Sequence, residues 1–197
     1  MSPLLLGISG SIRPASYNTR LLRAAARLLP PGPQLRLWPG LAAVPPYDES
    51  RDLEPAPRPV SDLRVAIAGA DAVLIATPEY NASIPGVLKN AVDWASRPFP
   101  SSSLRGKPVA VIGASTGIFG AVWAQAELRK VLDSIGADVL EAELSVPQVA
   151  EAFACDGRLR DPALETVLAG IVTALSARST ELAAGTERSR SPVGSPA

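Results

Sequence analysis

Three short segments of this chain concentrate residue types that hold anions or flat ring systems. The first is Ser9-Gly10-Ser11-Ile12-Arg13-Pro14-Ala15-Ser16-Tyr17-Asn18, which offers hydroxyls, a guanidinium and a carboxamide just where a helical pattern begins. A helix N-terminus adds free N–H groups and the positive end of a dipole, so Ser11, Arg13, Ser16 and Asn18 would close on a phosphate. The glycine spacing fits neither G-x-G-x-x-G nor a Walker A loop, because no Gly-Lys-Ser/Thr follows, and a nucleoside triphosphatase or a Rossmann dehydrogenase is disfavoured. The same residues also read as a plain loop whose helix is capped by Ser16 or Asn18.

The second segment is Thr77-Pro78-Glu79-Tyr80-Asn81-Ala82-Ser83-Ile84-Pro85-Gly86. Bounded by prolines, it can present successive backbone N–H and C=O groups to a planar heterocycle, with Tyr80 as an aromatic edge. The third is Gly113-Ala114-Ser115-Thr116-Gly117-Ile118-Phe119-Gly120, whose small residues let backbone approach a flat ligand closely. Beyond the second segment, Lys89 and Asp93 form an i,i+4 pair that reads most simply as solvated surface. Trp94 reads either as core or as a large contact between subunits.

What must position these loops follows from the hydrophobic pattern. Leu4 to Ser9, Ala72 to Thr77 and Val109 to Ala114 are short apolar runs without polar alternation, the pattern of parallel strands covered on both faces. Weaker strands fit Leu35 to Trp38 and Val139 to Leu144. Between them run helical stripes: Leu21, Leu22, Ala25 and Leu28; Leu63, Ile67 and Ala70; Val87, Leu88, Ala91 and Val92; Leu128, Val131, Leu132 and Ile135. A last helix opens after Asp161-Pro162, an N-cap followed by proline at the first helical position. Strands alternating with helices predict a three-layer, flavodoxin-like α/β fold with a five-stranded parallel sheet in the order 2-1-3-4-5. In such a sheet the ligand sits beyond the carboxyl ends of the strands, where all three segments fall. Residues 1–185 are expected to form this single domain. Pro39 to Pro59 is expected to be a long ordered loop or flap, and Thr186 to Ala197 a disordered tail.

Composition narrows the chemistry. The 197 residues contain no histidine, one cysteine, and 19 basic against 19 acidic side chains. A Ser-His-Asp triad, an imidazole base and histidine-ligated metal are excluded, and the lone Cys155 can build neither an internal disulfide nor a cluster. The residues therefore predict no metal site, no nucleic-acid partner and, since no continuous apolar run nears the roughly 20 residues of a span, no membrane segment. A cytoplasmic location is expected.

Taken together, Gly10-Ser11-Ile12-Arg13-x-x-Ser16-x-Asn18, Pro78-Glu79-Tyr80-Asn81-x-Ser83-x-Pro85-Gly86-x-Leu88-Lys89-Asn90-Ala91-x-Asp93-Trp94, and Gly113-Ala114-Ser115-x-Gly117 with Ala124-Gln125-x-x-Leu128-Arg129 closely resemble the NADPH-dependent FMN reductase family. This family of flavodoxin-like oxidoreductases includes quinone, azo-dye and chromate reductases. The resemblance implies FMN as cofactor, NADPH or NADH as co-substrate, and a small-molecule electron acceptor. By resemblance, Ser11, Arg13, Ser16 and Asn18, with Tyr17 beside them, hold the FMN phosphate. Pro78, Glu79, Tyr80 and Asn81 pack against the ring and ribityl region, and Ser115, Thr116 and Gly117 flank it. No side chain is assigned to proton transfer. A homodimer or homotetramer is implied, with the helix around Lys89 to Trp94 near its interface. A non-enzymatic FMN electron carrier is the alternative, disfavoured by the zero net charge because carriers are typically acidic. Gly120-Ala121-Val122-Trp123 departs from the family pattern, which carries an arginine where this chain has Trp123, and so leaves the choice between NADPH and NADH open.

Overall fold

The computed structural model describes residues 2–190. Its elements run β1 (Leu4–Ser9), α1 (Tyr17–Arg27), β2 (Gln34–Trp38), α2 (Arg58–Ala68), β3 (Ala72–Thr77), α3 (Gly86–Ala95), β4 (Pro108–Ala114), α4 (Val122–Ser134), β5 (Asp138–Val139), β6 (Ser145–Val146) and α5 (Pro162–Arg190). All pairings are parallel, in the order β2-β1-β3-β4-β5, the flavodoxin-like order. Successive residues of β3 point to opposite faces, as strand geometry requires. Ala72, Leu74 and Ala76 face α1 and α5, while Val73 and Ile75 face α2, α3 and α4. Both faces are buried along the whole of β3 and β4, which is why these strands read as unbroken apolar runs.

The expected fifth strand is broken. β5 pairs with the start of β4 and β6 with its end; Leu140 N–H still donates to Val109 O at 2.8 Å and Leu144 O accepts the Gly113 N–H at 2.9 Å, so only residues 141–143 leave the ladder. Glu141 and Glu143 in this stretch are exposed, and Glu143 reaches Arg129 of α4 at 3.1 Å. Carboxylates at the sheet margin keep their solvation by leaving the ladder.

The flap is ordered, with short 3-10 turns at Gly40–Ala43 and Glu49–Arg51. It rests on a small separate core of Ala56, Val60 and Trp94, with Val44 and Tyr47 packed against it. Trp94 is fully buried there and its indole N–H donates to the Pro45 carbonyl at 2.9 Å, so it serves the core of its own chain. Lys89 and Asp93 form a 2.7 Å pair about two-fifths exposed at each end, as a solvated pair should be.

Helix α5 begins as expected, with the Asp161 carboxylate accepting the Ala163 N–H at 2.8 Å. Its backbone continues to Arg190, so it includes the first five residues of the segment expected to form a tail, and the remaining residues 191–197 lie outside the described residues. Over Pro162–Gly185 it is long and apolar enough on average for a membrane span, although polar residues interrupt it and leave no continuous apolar run of that length. Leu168, Ile171, Val172 and Leu175 are nonetheless buried against the sheet, the ordinary reason for apolarity in a core helix.

Candidate functional site

The carboxyl ends of β1, β3 and β4 lie side by side, and the loops leaving them form the walls of one cleft. Ser11, Arg13, Ser16, Tyr17, Asn18, Pro78, Glu79, Tyr80, Ser115 and Thr116 line it, joined by Ala114 and Val149, around a volume of about 310 Å³. That lies at the lower end of the range for small-molecule sites. Of the residues expected at the site, Asn81 and Gly117 are not in this lining. Nor is any residue of the flap, which lies against α2 and α3.

The first loop leaves β1 through Gly10, whose N–H donates to Ala76 O of β3 at 2.8 Å. A Cβ there would stand 2.8 Å from Leu88 and 3.2 Å from Pro78, so glycine is what lets the first loop lie against the second. Ser9 Oγ accepts from Thr19 Oγ1 at 2.9 Å, and Ser11 Oγ accepts the Arg13 N–H at 3.3 Å. Ser16 caps α1, its Oγ accepting the Asn18 N–H at 3.2 Å. Both Ser11 and Ser16 keep their hydroxyl protons for another acceptor. The Tyr17 and Thr19 amides belong to the first turn, which has no intrahelical acceptors for them. Arg13 is exposed, with its guanidinium 5.1 Å from the Tyr17 ring centre.

Asn18 behaves differently from the loop's other polar residues. It is 2% exposed; its Nδ2 donates to Ala114 O at 3.0 Å and its Oδ1 accepts the Ala114 N–H at 3.1 Å. Both ends of the carboxamide are used to join the start of α1 to the end of β4.

The second loop turns sharply after Tyr80. Tyr80 and Ser83 exchange backbone hydrogen bonds at 3.2 and 3.1 Å, and the residues between, Asn81 and Ala82, have φ of 52° and 58°. Two left-handed residues make a type I′ turn, which places Asn81 at an exposed tip and explains its absence from the cleft. Glu79 turns the other way: Oε2 accepts the Ala124 N–H at 3.0 Å. Helix α4 has no cap of its own, since Ala121 at its N-cap position has φ of 69° and no accepting side chain, and Glu79 supplies one from the neighbouring loop. In return Glu127 of α4 accepts Ser83 Oγ at 2.6 Å and the Ile84 N–H at 3.3 Å.

The third loop is tied to the segment after β6. Ser115 N–H donates to Val146 O, Val149 N–H to Ser115 O and Gln148 N–H to Gly117 O, all at 3.0 to 3.1 Å. This brings Val149 into the cleft, a residue no motif in the sequence marks. Gln125, fully buried, donates through Nε2 to Ser145 Oγ at 2.8 Å and so fixes the approach to α4. A Cβ at Gly113 would stand 2.8 Å from that nitrogen. The motif pair Gly113 and Gln125 is therefore explained by packing. Phe119 and Trp123 form an exposed edge-to-face pair, ring centres 4.8 Å apart, and Trp123 directly precedes the residue Glu79 caps.

The cleft suits a flavin mononucleotide on these observations. One end presents helix amides, hydroxyls and a guanidinium for a phosphate, and the other is walled by Pro78, Tyr80, Ala114 and Ser115, with the one carboxylate between them, Glu79, engaged by the Ala124 N–H.

Comparison with known proteins agrees. Residues 3–151 match the model of the family described as NADPH-dependent FMN reductase. An NAD(P)H-dependent FMN reductase of Pseudomonas aeruginosa is 45% identical over 158 residues, covering 80% of this chain and 84% of that protein. A quinone reductase of Escherichia coli K12 is 39% identical over 132 residues, covering 66% of this chain and 70% of that protein. The solved structure of a flavoenzyme NAD(P)H:(acceptor) oxidoreductase from Paracoccus denitrificans superposes with a TM-score of 0.79 at 35% identity, covering 91% of this chain and 98% of that one. With the sheet order, the cleft and the sequence agreeing, the chain belongs to the NADPH-dependent FMN reductase family and is an FMN-dependent NAD(P)H oxidoreductase.

Proposed function

We propose that the cleft holds FMN with its phosphate against the first loop and its ring between the second and third, and that the enzyme reduces quinones and azo compounds with NADPH or NADH as donor. The observation that carries this is the meeting, in one cleft, of the free hydroxyl protons of Ser11 and Ser16, the Arg13 guanidinium and the α1 amides with the neutral walls of Pro78, Tyr80 and Ser115. Bound FMN supplies the redox chemistry, accepting a hydride from a nicotinamide and passing two electrons to an acceptor. The chain's own residues position it. Ser11, Ser16, Arg13 and the Tyr17 and Thr19 amides take the phosphate charge, Pro78 and Tyr80 form one wall and Ser115 and Thr116 the other. Asn18 and Glu79 are braces: Asn18 spends both ends of its carboxamide on Ala114, and Glu79 gives Oε2 to the Ala124 N–H.

The same reading makes the protein a cytoplasmic homodimer or homotetramer. In support, Tyr80, Ile118, Phe119 and Trp123, all at the second and third loops, are about half exposed or more, and exposed aromatic clusters of this kind mark association surfaces. Light scattering on the eluted protein tests this, and a monomer at micromolar concentration would refute it.

The decisive experiment is to measure the visible spectrum and flavin content of purified protein, then oxidation of NADPH and NADH with a benzoquinone, an azo dye and free FMN. Yellow protein that turns over the quinone supports the reading. Colourless protein that FMN does not reconstitute refutes it.

A further inference from the structure

We infer that Arg20, which lies outside the cleft lining, is a second cationic residue of its phosphate end, acting with Arg13 to balance a dianionic phosphoester. The inference rests on the flavin reading above and extends it to a residue that no motif marks. Arg20 stands on α1 three residues after Tyr17, and helical side chains lean toward the N-terminus of their helix. Its guanidinium is accordingly 5.9 Å from the Tyr17 ring centre and 4.5 Å from that of Phe153. Arg13 stands 5.1 Å from the same Tyr17 ring. One cleft aromatic thus gathers two guanidiniums.

The arrangement is held from both sides. Phe153 is 5% exposed, its carbonyl accepts Arg160 Nε at 3.2 Å, and it is bridged to Leu159 across the turn that follows Val149, itself a cleft residue. Arg20 is half-buried in this setting. Among the described residues neither Arg13 nor Arg20 has a carboxylate within ion-pair distance, a condition they share with other arginines of the chain but here combined with a common aromatic at the cleft. Two like charges sharing a ring, one of them half-buried, lack an anion. A phosphate monoester carries about −1.5 to −2 at neutral pH, more than a single guanidinium offsets. The competing account is that Arg20 merely lays its aliphatic stem on the two rings.

The test is fluorescence titration of flavin-stripped wild type, Arg20→Met and Arg20→Lys with FMN and with riboflavin, which lacks the phosphate, at low and at high salt. Arg20→Met keeps the stem and removes the charge; Arg20→Lys keeps the charge. The methionine variant should bind FMN roughly three- to tenfold more weakly, between the effect of an exposed ion pair and that of a charged hydrogen bond. Riboflavin affinity should not change, the lysine variant should stay near wild type, and the difference should shrink in high salt. If Arg20→Met binds FMN as wild type does, or loses FMN and riboflavin equally, Arg20 is packing and its assignment alone falls. If the wild type itself binds FMN no tighter than riboflavin, the phosphate end is misplaced and both readings fall.

Discussion

Glu79 offers a sharp separation between a residue that touches ligand and one that shapes the site. It lines the cleft, yet its Oε2 accepts the Ala124 N–H at 3.0 Å, and α4 begins on a left-handed alanine that provides no cap. Removing a helix cap costs about 0.5–2 kcal/mol, and the charge at the positive end of the helix dipole adds about 0.3–1 kcal/mol at a partly exposed site. Glu79→Ala removes both terms, so a loss of roughly 1–2 kcal/mol is expected, the lower part of the summed range because water replaces part of the cap. In a domain of this size each kcal/mol moves the midpoint by about 2–4 °C, which predicts a fall of about 2–8 °C. Glu79→Gln keeps an accepting oxygen and loses only the charge, so its cost should stay near 0.3–1 kcal/mol. The assay is thermal unfolding of the flavin-free variants, because bound ligand would add its own stabilisation, followed by FMN titration of each. FMN affinity should fall modestly in the alanine variant and hardly at all in the glutamine variant. The brace is refuted if the alanine variant melts with wild type while losing FMN, or if glutamine is as damaging as alanine.

Three further outcomes are expected. Arg13→Ala should weaken FMN binding by about 1.5–3 kcal/mol, the scale of a hydrogen bond to a charged group, and an unchanged dissociation constant in a fluorescence titration would place the phosphate elsewhere. Trp123→Arg should lower KM for NADPH more than for NADH, because a 2′-phosphate favours arginine; equal responses in steady-state kinetics would show that this position does not face the donor. Ala82→Gly should raise the melting temperature, since alanine at a φ of 58° gives up about 0.5–1 kcal/mol that glycine recovers, and a lowered midpoint would mean that the alanine methyl contributes more than its backbone strain costs.

Much of the architecture was legible because parallel strands buried on both faces cannot alternate. Leu4–Ser9 and Ala72–Thr77 stood out with their boundaries intact. The short edge pieces β5 and β6 were not separable, since apolar character continues through Leu140, Ala142 and Leu144 while only Glu141 and Glu143 signal the departure from the ladder. The cleft was legible as loops, through the types and spacing of Ser11 to Asn18 and of Pro78 to Tyr80. What each polar atom does there was not. Asn18, Glu79 and Gln125 have the composition of ligand contacts, but their partners lie 96, 45 and 20 residues away in sequence, and no local pattern encodes such a pairing. Trp94 was open for the same reason, its indole partner being Pro45. Val149 was missed because its place at the cleft depends on the segment after β6 folding back beside it, and the contact of Arg20 with Phe153 depends on the same segment.

The loops of the cleft are fastened to elements other than their own: the first to β3 through Gly10 and Ala76, the start of α1 to the end of β4 through Asn18 and Ala114, and the second to α4 through Glu79, Glu127 and Ser83. A ligand arriving there meets walls whose freedom was already given up when the chain folded. The entropy of association then falls on the ligand's own rotation and translation, and little is lost to ordering of the protein. Such a cleft discriminates among guests by shape and charge at first contact.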